Sequence, residues 1–259
     1  MLLDGRVCVV AGVGTGLGRE VAVALAGQGA TVVLGARTEP FLHEVAAEIN
    51  GSGGTARAVP TNVVDPEQCH RLAAAAVEEF GRVDALVNCA YRPDVFQTFE
   101  DVDLDKWRKI MEVNLFGALH LVKAVVPAMK QQGKGSIVLV SSMVTRRPPA
   151  LQAGYATSKG ALNVAAMALA DELGPFGIRV NTILPGWMWG PNVEMYVQMT
   201  SEARGITEQA VIDEITANIP LGVIPTDDDV AGAAVYLASD LSGGVTGQGI
   251  DVNGGEYFH

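Results

Sequence analysis

The chain has 259 residues, 49% of them hydrophobic and 18% charged, and a formal net charge of −11. This composition supplies the core of a globular α/β domain and excludes a disordered or fibrous chain. The acidic balance excludes a general binder of phosphate backbones, which needs a basic footprint, so no nucleic-acid partner is expected.

In chain order, residues 7–11 form a short apolar strand, followed by a glycine cluster and a helix over 17–28. A second strand is expected at 31–36, a helix at 41–49 and a weak third strand at 56–60. The segment 66–80 reads as a helix opened by Pro66, where a missing N–H does little harm. Strand 83–88 precedes a long helical pattern over 104–130, with Pro127 near its end. Then come strand 136–141, helix 154–173, strand 178–184, helix 230–238 and a final strand at 249–252. Continuous apolar strands separated by helices predict a doubly wound (Rossmann) α/β fold: a parallel seven-stranded sheet with helices on both faces. Residues 1–259 are expected to form one domain. Its exception is 187–225, rich in Met and aromatic residues and without a strand partner, which is expected to form short helices as a substrate-binding lid.

Cys8, Cys69 and Cys89 form no metal-ligand cluster and are read as buried free thiols, so no metal is expected. The opening Met1-Leu2-Leu3-Asp4-Gly5-Arg6 lacks the pattern of a signal peptide. No uncharged run suits a membrane span. A cytoplasmic setting without a membrane partner is the expectation.

Gly12-Val13-Gly14-Thr15-Gly16-Leu17-Gly18 lies between the first strand and the first helix. Glycine permits positive φ and close approach by a phosphate, and the helix N-terminus offers free N–H groups. In this context the motif predicts dinucleotide binding. The second strand ends in Leu34-Gly35-Ala36-Arg37-Thr38, with no acid to accept from the ribose hydroxyls. Arg37 can pair with a phosphate instead, which favours NADP(H) over NAD(H).

Tyr155 and Lys159 stand four residues apart in a predicted helix and so share one face. A fixed ammonium beside a phenol is expected to pull its pKa toward a working value for proton transfer to an alcohol oxygen.

With these residues in place, nearly the whole chain resembles the short-chain dehydrogenase/reductase family. The glycine motif appears with Ala11 in place of a Thr. Asn88-Cys89-Ala90-Tyr91 follows the N-N-A-G motif at two of its positions, and Asn114 matches the family's helix Asn. Ser142, thirteen residues before Tyr155, matches the catalytic Ser, and Tyr155 and Lys159 match Y-x-x-x-K. Pro185-Gly186 matches the turn beside the nicotinamide.

The resemblance implies a catalytic tetrad of Asn114, Ser142, Tyr155 and Lys159. Asn114 would hold a water that links Lys159 to solvent. The implied cofactor-binding set is Gly12, Gly14, Thr15, Gly16, Leu17, Gly18, Arg37, Asn62, Val63, Asn88, Ala90, Tyr155, Lys159, Pro185 and Gly186. Asn62 stands where relatives carry an Asp near the adenine. Trp187-Met188-Trp189-Gly190 lacks the Thr that often holds the carboxamide.

Ser142, Met143, Tyr155, Trp187 and Trp189 are the substrate-binding candidates, extended by Val144, Met195, Tyr196 and Met199. Such a wall favours an apolar or ring-bearing alcohol or ketone. Small residues on the Tyr155 helix (Ala161, Ala165, Ala166, Ala168, Ala170) fit the family's pairing of this helix in a homotetramer. Alternatives are a ketoacyl-carrier reductase, for which Arg146 and Arg147 are the only nearby basic pair, and a non-catalytic dinucleotide sensor.

Overall fold

The structure, a computed structural model, describes residues 1–258. Its sheet has seven parallel strands: β1 (Val7–Ala11), β2 (Thr31–Ala36), β3 (Thr55–Pro60), β4 (Ala85–Asn88), β5 (Gly135–Val140), β6 (Ile178–Pro185) and β7 (Gly249–Val252), in the order β3-β2-β1-β4-β5-β6-β7. The order reverses between β1 and β4, where doubly wound sheets open a crevice for ligands.

Alternation along the strands builds two cores. Cys8 and Val10 point to one face, packed against α1 (Leu17–Gly27) and α9 (Asp227–Ala238), while α2 (Glu39–Gly51) adds Leu42 and Val45. Val7 and Val9 point to the other, with α3 (Pro66–Phe80), α5 (Ala118–Gln132) and α6 (Ala153–Leu173). Local sequence explains the element ends. Asp65 caps α3 by accepting from Glu67 and Gln68 amides, and Gly81 closes it with φ 78°. Thr226 and Asp229 form a reciprocal capping box on α9.

The long helical stretch is not uniform. α4 (Leu104–Met111) passes through a π-helical turn at Glu112–Gly117 before α5 begins. By length and composition Leu104–Gln132 could cross a membrane, but α5 packs on α3, β4 and β5 as a core helix does.

Residues 187–225 contain α7 (Pro191–Arg204) and α8 (Glu208–Thr216), which fold around their own small core of Val197, Val211, Ile215, Ile219 and Ile224. The expectation of no strand partner is corrected at one point: Trp189 makes a parallel bridge to Thr226, with its amide donating to Pro225 at 2.7 Å.

Candidate active site

The glycine turn is built by backbone crowding on one side and open space on the other. Gly12 has φ +83°, and a Cβ there would lie 2.2 Å from the Ala90 nitrogen. A Cβ on Gly18 would lie 2.2 Å from the Gly12 carbonyl oxygen. Only glycine fits either position. Gly14, by contrast, would meet nothing within 4 Å, and no side chain caps the N-terminus of α1. A glycine cradle with an open face beside an uncapped helix start fits the pyrophosphate of a dinucleotide. Thr15 and Leu17 flank Gly16 at the mouth of this cradle.

The other predicted cofactor residues differ in what they do, and Asn88 shapes this cradle from behind. Asn88 is buried and accepts from the Ala90 amide at 3.1 Å, which folds the turn that Gly12 abuts. The Val63 side chain belongs to the core and lies against Gly117, so only its backbone could serve a ligand. Asn62 accepts from the Val64 amide at 3.3 Å, a local turn that engages one lone pair of its amide oxygen. Arg37 is exposed at the tip of β2 and has no carboxylate partner among the described residues. Gly186 donates to the Val252 carbonyl at 3.0 Å after Pro185, and a Cβ on it would press on Asn253 and on the Met143 sulfur.

Tyr155 sits in the first turn of α6, partly exposed, where three groups meet its ring or hydroxyl. Ser142, two residues past the end of β5, hydrogen-bonds the phenol. Lys159 is buried, with Nζ 5.7 Å from the Tyr155 ring centroid. Tyr91 stands edge-on, with ring centroids 6.4 Å apart. Burial pushes the Tyr155 phenol well above its ordinary pKa; the Ser142 hydrogen bond pulls it down and Tyr91 adds to the rise.

The expectation that Lys159 brings this phenol down is therefore corrected. Its ammonium is directed to the Val140 carbonyl, 2.7 Å away, and does not offset the desolvation. Lys159 itself is pulled down to about 8 by burial. A phenol that holds its proton at neutral pH is a hydrogen-bond and proton donor.

Asn114 is fully buried on the π-helical turn, and its amide is committed to protein groups. Its oxygen accepts from the Arg92 amide at 2.6 Å, and its nitrogen donates to the Arg92 carbonyl at 3.0 Å and to Ser158 Oγ at 2.9 Å. Ser158 in turn donates to the Tyr155 carbonyl at 2.7 Å. The side chain thus ties the loop after β4 to the active helix. A water-holding role would fall to its backbone.

A second tie was not legible in the chain. Asp94, also buried, accepts from the Tyr155 amide at 2.6 Å, placing a carboxylate at the N-terminus of α6, where the helix dipole favours it. No local pattern pairs positions 94 and 155. Tyr91, Arg92, Pro93, Asp94 and Val95 line a cleft of about 270 Å³ together with Arg37 and Val113.

On the substrate side, Trp187 and Trp189 are partly buried against the lid core, and the Trp187 ring packs against Tyr196, with centroids 5.3 Å apart and planes tilted by 40°. Val144 is buried, in the same short turn as Met143. Met195, Tyr196 and Met199 are exposed on α7, outside the lid core, so the lid is held together by Val and Ile. All three cysteines are buried and free, with their thiols pushed up to about 12, 11 and 12 for Cys8, Cys69 and Cys89, foremost by burial. Among the described residues no group of His, Cys, Asp or Glu could hold a metal ion.

Comparison with known proteins places this arrangement among relatives. Residues 12–256 match the family model described as enoyl-(acyl carrier protein) reductase. The chain is 37% identical over 251 residues to the short-chain reductase protein NovJ of Streptomyces niveus, covering 96% of this chain and 93% of that protein. It is 36% identical over 264 residues to an L-rhamnose 1-dehydrogenase (NAD(P)(+)) of Azotobacter vinelandii, covering 100% and 99%. Among solved structures, an actinorhodin polyketide ketoreductase variant with NADPH superposes with a TM-score of 0.90 at 31% identity, covering 97% of each chain.

Proposed function

Because the chain belongs to the short-chain dehydrogenase/reductase family, we propose that Tyr155 is its proton-transfer residue and that its substrate is an apolar or ring-bearing secondary alcohol or ketone. The chain is an NAD(P)-dependent oxidoreductase of CH–OH and C=O groups. The reading of its site rests on one observation above the others. Ser142 and Lys159 flank Tyr155, the Lys159 ammonium 5.7 Å from its ring, in a chain whose glycine turn admits no side chain at Gly12 or Gly18 and leaves Gly14 open.

The nicotinamide, when bound, supplies or accepts the hydride. Every other role falls to this chain. Gly12, Gly14, Gly16 and Gly18 would hold the pyrophosphate. Ser142 holds the substrate oxygen and stabilises its developing charge. Tyr155 gives that oxygen a proton in reduction and takes one back in oxidation. Lys159 would bind the nicotinamide ribose and stabilise the phenolate after the proton leaves. Asn114 and Asp94 set the position of Tyr155 by holding the backbone on either side of it.

Arg37 supports NADP(H) over NAD(H), since it is exposed, unpaired among the described residues and at the end of β2. Trp187, Tyr196, Met195 and Met199 support an apolar substrate. Exposed Val164 and Met167 on α6 support a helix-paired homotetramer. Ala166 and Ala170 are buried toward the sheet and take no part in such a face. The three reduced, buried thiols suit a cytoplasmic setting.

A carrier-linked ketone is the second reading, favoured by the description of the family model that the chain matches. Arg146 does not supply its basic entrance, because it is bidentate to Asp251 at 3.1 and 3.0 Å. The sensor reading is disfavoured by the assembled Ser142, Tyr155 and Lys159.

The test is Tyr155→Phe, assayed by nicotinamide absorbance against a panel of ketones and alcohols. Cofactor binding is expected to persist while turnover falls by about 10³-fold. Turnover retained within tenfold would remove Tyr155 from the proton-transfer role.

A further inference from the structure

The loop after β4 presents a cation that the glycine turn and Arg37 do not account for. Arg92 and Arg37 line the same cleft, on the two sides of the glycine turn: Arg37 follows β2, Arg92 follows β4, and both strands flank β1. Both side chains are exposed, and neither has a carboxylate partner among the described residues. The one acid lining that cleft, Asp94, is committed to amides, with one oxygen on Tyr155 and the other on Val95 at 2.7 Å. In a chain of net charge −11, two unpaired guanidiniums on one cleft are a local reversal of sign.

Arg92 is also held in place. Its amide and its carbonyl both bond to the buried Asn114 side chain, at 2.6 and 3.0 Å, and Pro93 follows with a fixed φ. The π-helical turn that carries Asn114 thus anchors the backbone of an exposed arginine. A cation on a fixed backbone loses less freedom on binding than one on a mobile loop. Guanidinium forks match phosphate oxygens in geometry and charge.

We infer that Arg92 is a second specificity-determining residue for the cofactor, and that with Arg37 it brackets the 2′-phosphate of NADP(H). The inference rests on the reading that NADP(H) is preferred. Exposed arginines at this cleft then have a shared ligand, and the buried Asn114 acquires a task beyond linking the loop to α6.

The experiment is equilibrium titration of the full-length protein with NADPH and with NADH, followed by nicotinamide fluorescence, with displacement by adenosine 2′,5′-bisphosphate as a second readout that needs no turnover. The variants are Arg92→Gln, Arg92→Lys and Arg37→Ser. Arg92→Gln is expected to weaken NADPH and the bisphosphate about tenfold or more while leaving NADH within twofold. Arg92→Lys, which keeps the charge and loses the fork, is expected to fall between. If the unaltered protein prefers NADPH, and Arg37→Ser abolishes that preference while Arg92→Gln leaves it intact, the Arg92 inference is overturned and the cofactor reading stands. Equal weakening of NADPH and NADH by Arg92→Gln would place the residue on the pyrophosphate and would also overturn it. An unaltered protein that binds both cofactors equally well would overturn the cofactor reading and, with it, this inference.

Discussion

The glycine turn and the lid adjoin at Asp227, and they are held by different forces. At the turn, backbone meets backbone at contact distance: Gly12 against Ala90 and Gly18 against Gly12 leave no room for a single added carbon. The lid is held by five buried aliphatic side chains with two tryptophans laid against them, while Met195, Tyr196 and Met199 remain exposed. Steric exclusion tolerates no substitution, whereas a small apolar core tolerates many of similar volume. The difference explains how one chemistry can serve many substrates. The cofactor side has one backbone solution, and the substrate side has a separate core that can be remade without disturbing the sheet.

The largest effect should come from breaking the tight side. Gly12→Ala would put a Cβ 2.2 Å from the Ala90 nitrogen at a φ of +83°. It is expected to cost about 3 kcal/mol of stability in chemical denaturation and to abolish measurable cofactor binding. Gly14→Ala is its control, because a Cβ there meets no protein atom within 4 Å. It should leave stability within about 1 kcal/mol, as a Gly-to-Ala change in open space does, yet still weaken the cofactor by filling the cradle. If both variants destabilise equally, the open face assigned to the phosphate is not open.

A smaller effect is expected from the lid. Val197 is buried in its core, and Val197→Ala should loosen 191–224 by about 2 kcal/mol. Hydrogen exchange should rise in α7 and α8 and stay unchanged in the sheet. KM should rise severalfold, with cofactor affinity unaltered. A matching rise of exchange in β1 or β4 would show that the two regions unfold as one and would undo the comparison.

The contrast also explains what could be read from the chain. The strands and the start of α3 were legible because apolar runs and a helix-opening proline are local: Pro66 marks the start of its helix without any tertiary context. Tyr155 and Lys159 were legible because four-residue spacing is a geometric statement about one helix. The π-helical turn was not, since the apolar pattern runs on through Glu112–Gly117 and one extra residue per turn leaves no mark in composition. Nor was the Asp94 bond to the Tyr155 amide, which spans 61 residues and is made to a backbone group that carries no sequence signal. The effect of Lys159 on Tyr155 was misjudged for a related reason. Spacing locates the charge, but the burial that outweighs it belongs to the whole fold.

Asp227 joins the two regions and carries the smallest of the expected effects. Its carboxylate lies 3.3 Å from the position of a Cβ on Gly16 and 2.9 Å from one on Gly190, between the phosphate turn and the first turn of the lid. Burial, with Glu20 and then Asp228 adding repulsion, raises its pKa from 3.8 to about 6. A carboxyl whose folded pKa lies above its unfolded value favours the folded state fully below the unfolded pKa. That contribution is lost as pH rises through about 6. Ionised Asp227 is therefore a cost at neutral pH, discounted because the group is half-exposed and screened. Asp227→Asn is expected to raise the melting temperature by about 1–2 °C at pH 7.5 and by nothing near pH 3.5. NADPH affinity should rise modestly at the higher pH only, as a negative charge leaves the wall of the cradle. A stabilisation that is the same at both pH values would mean that Asp227 acts through packing, and that the turn and the lid are not electrostatically coupled through it.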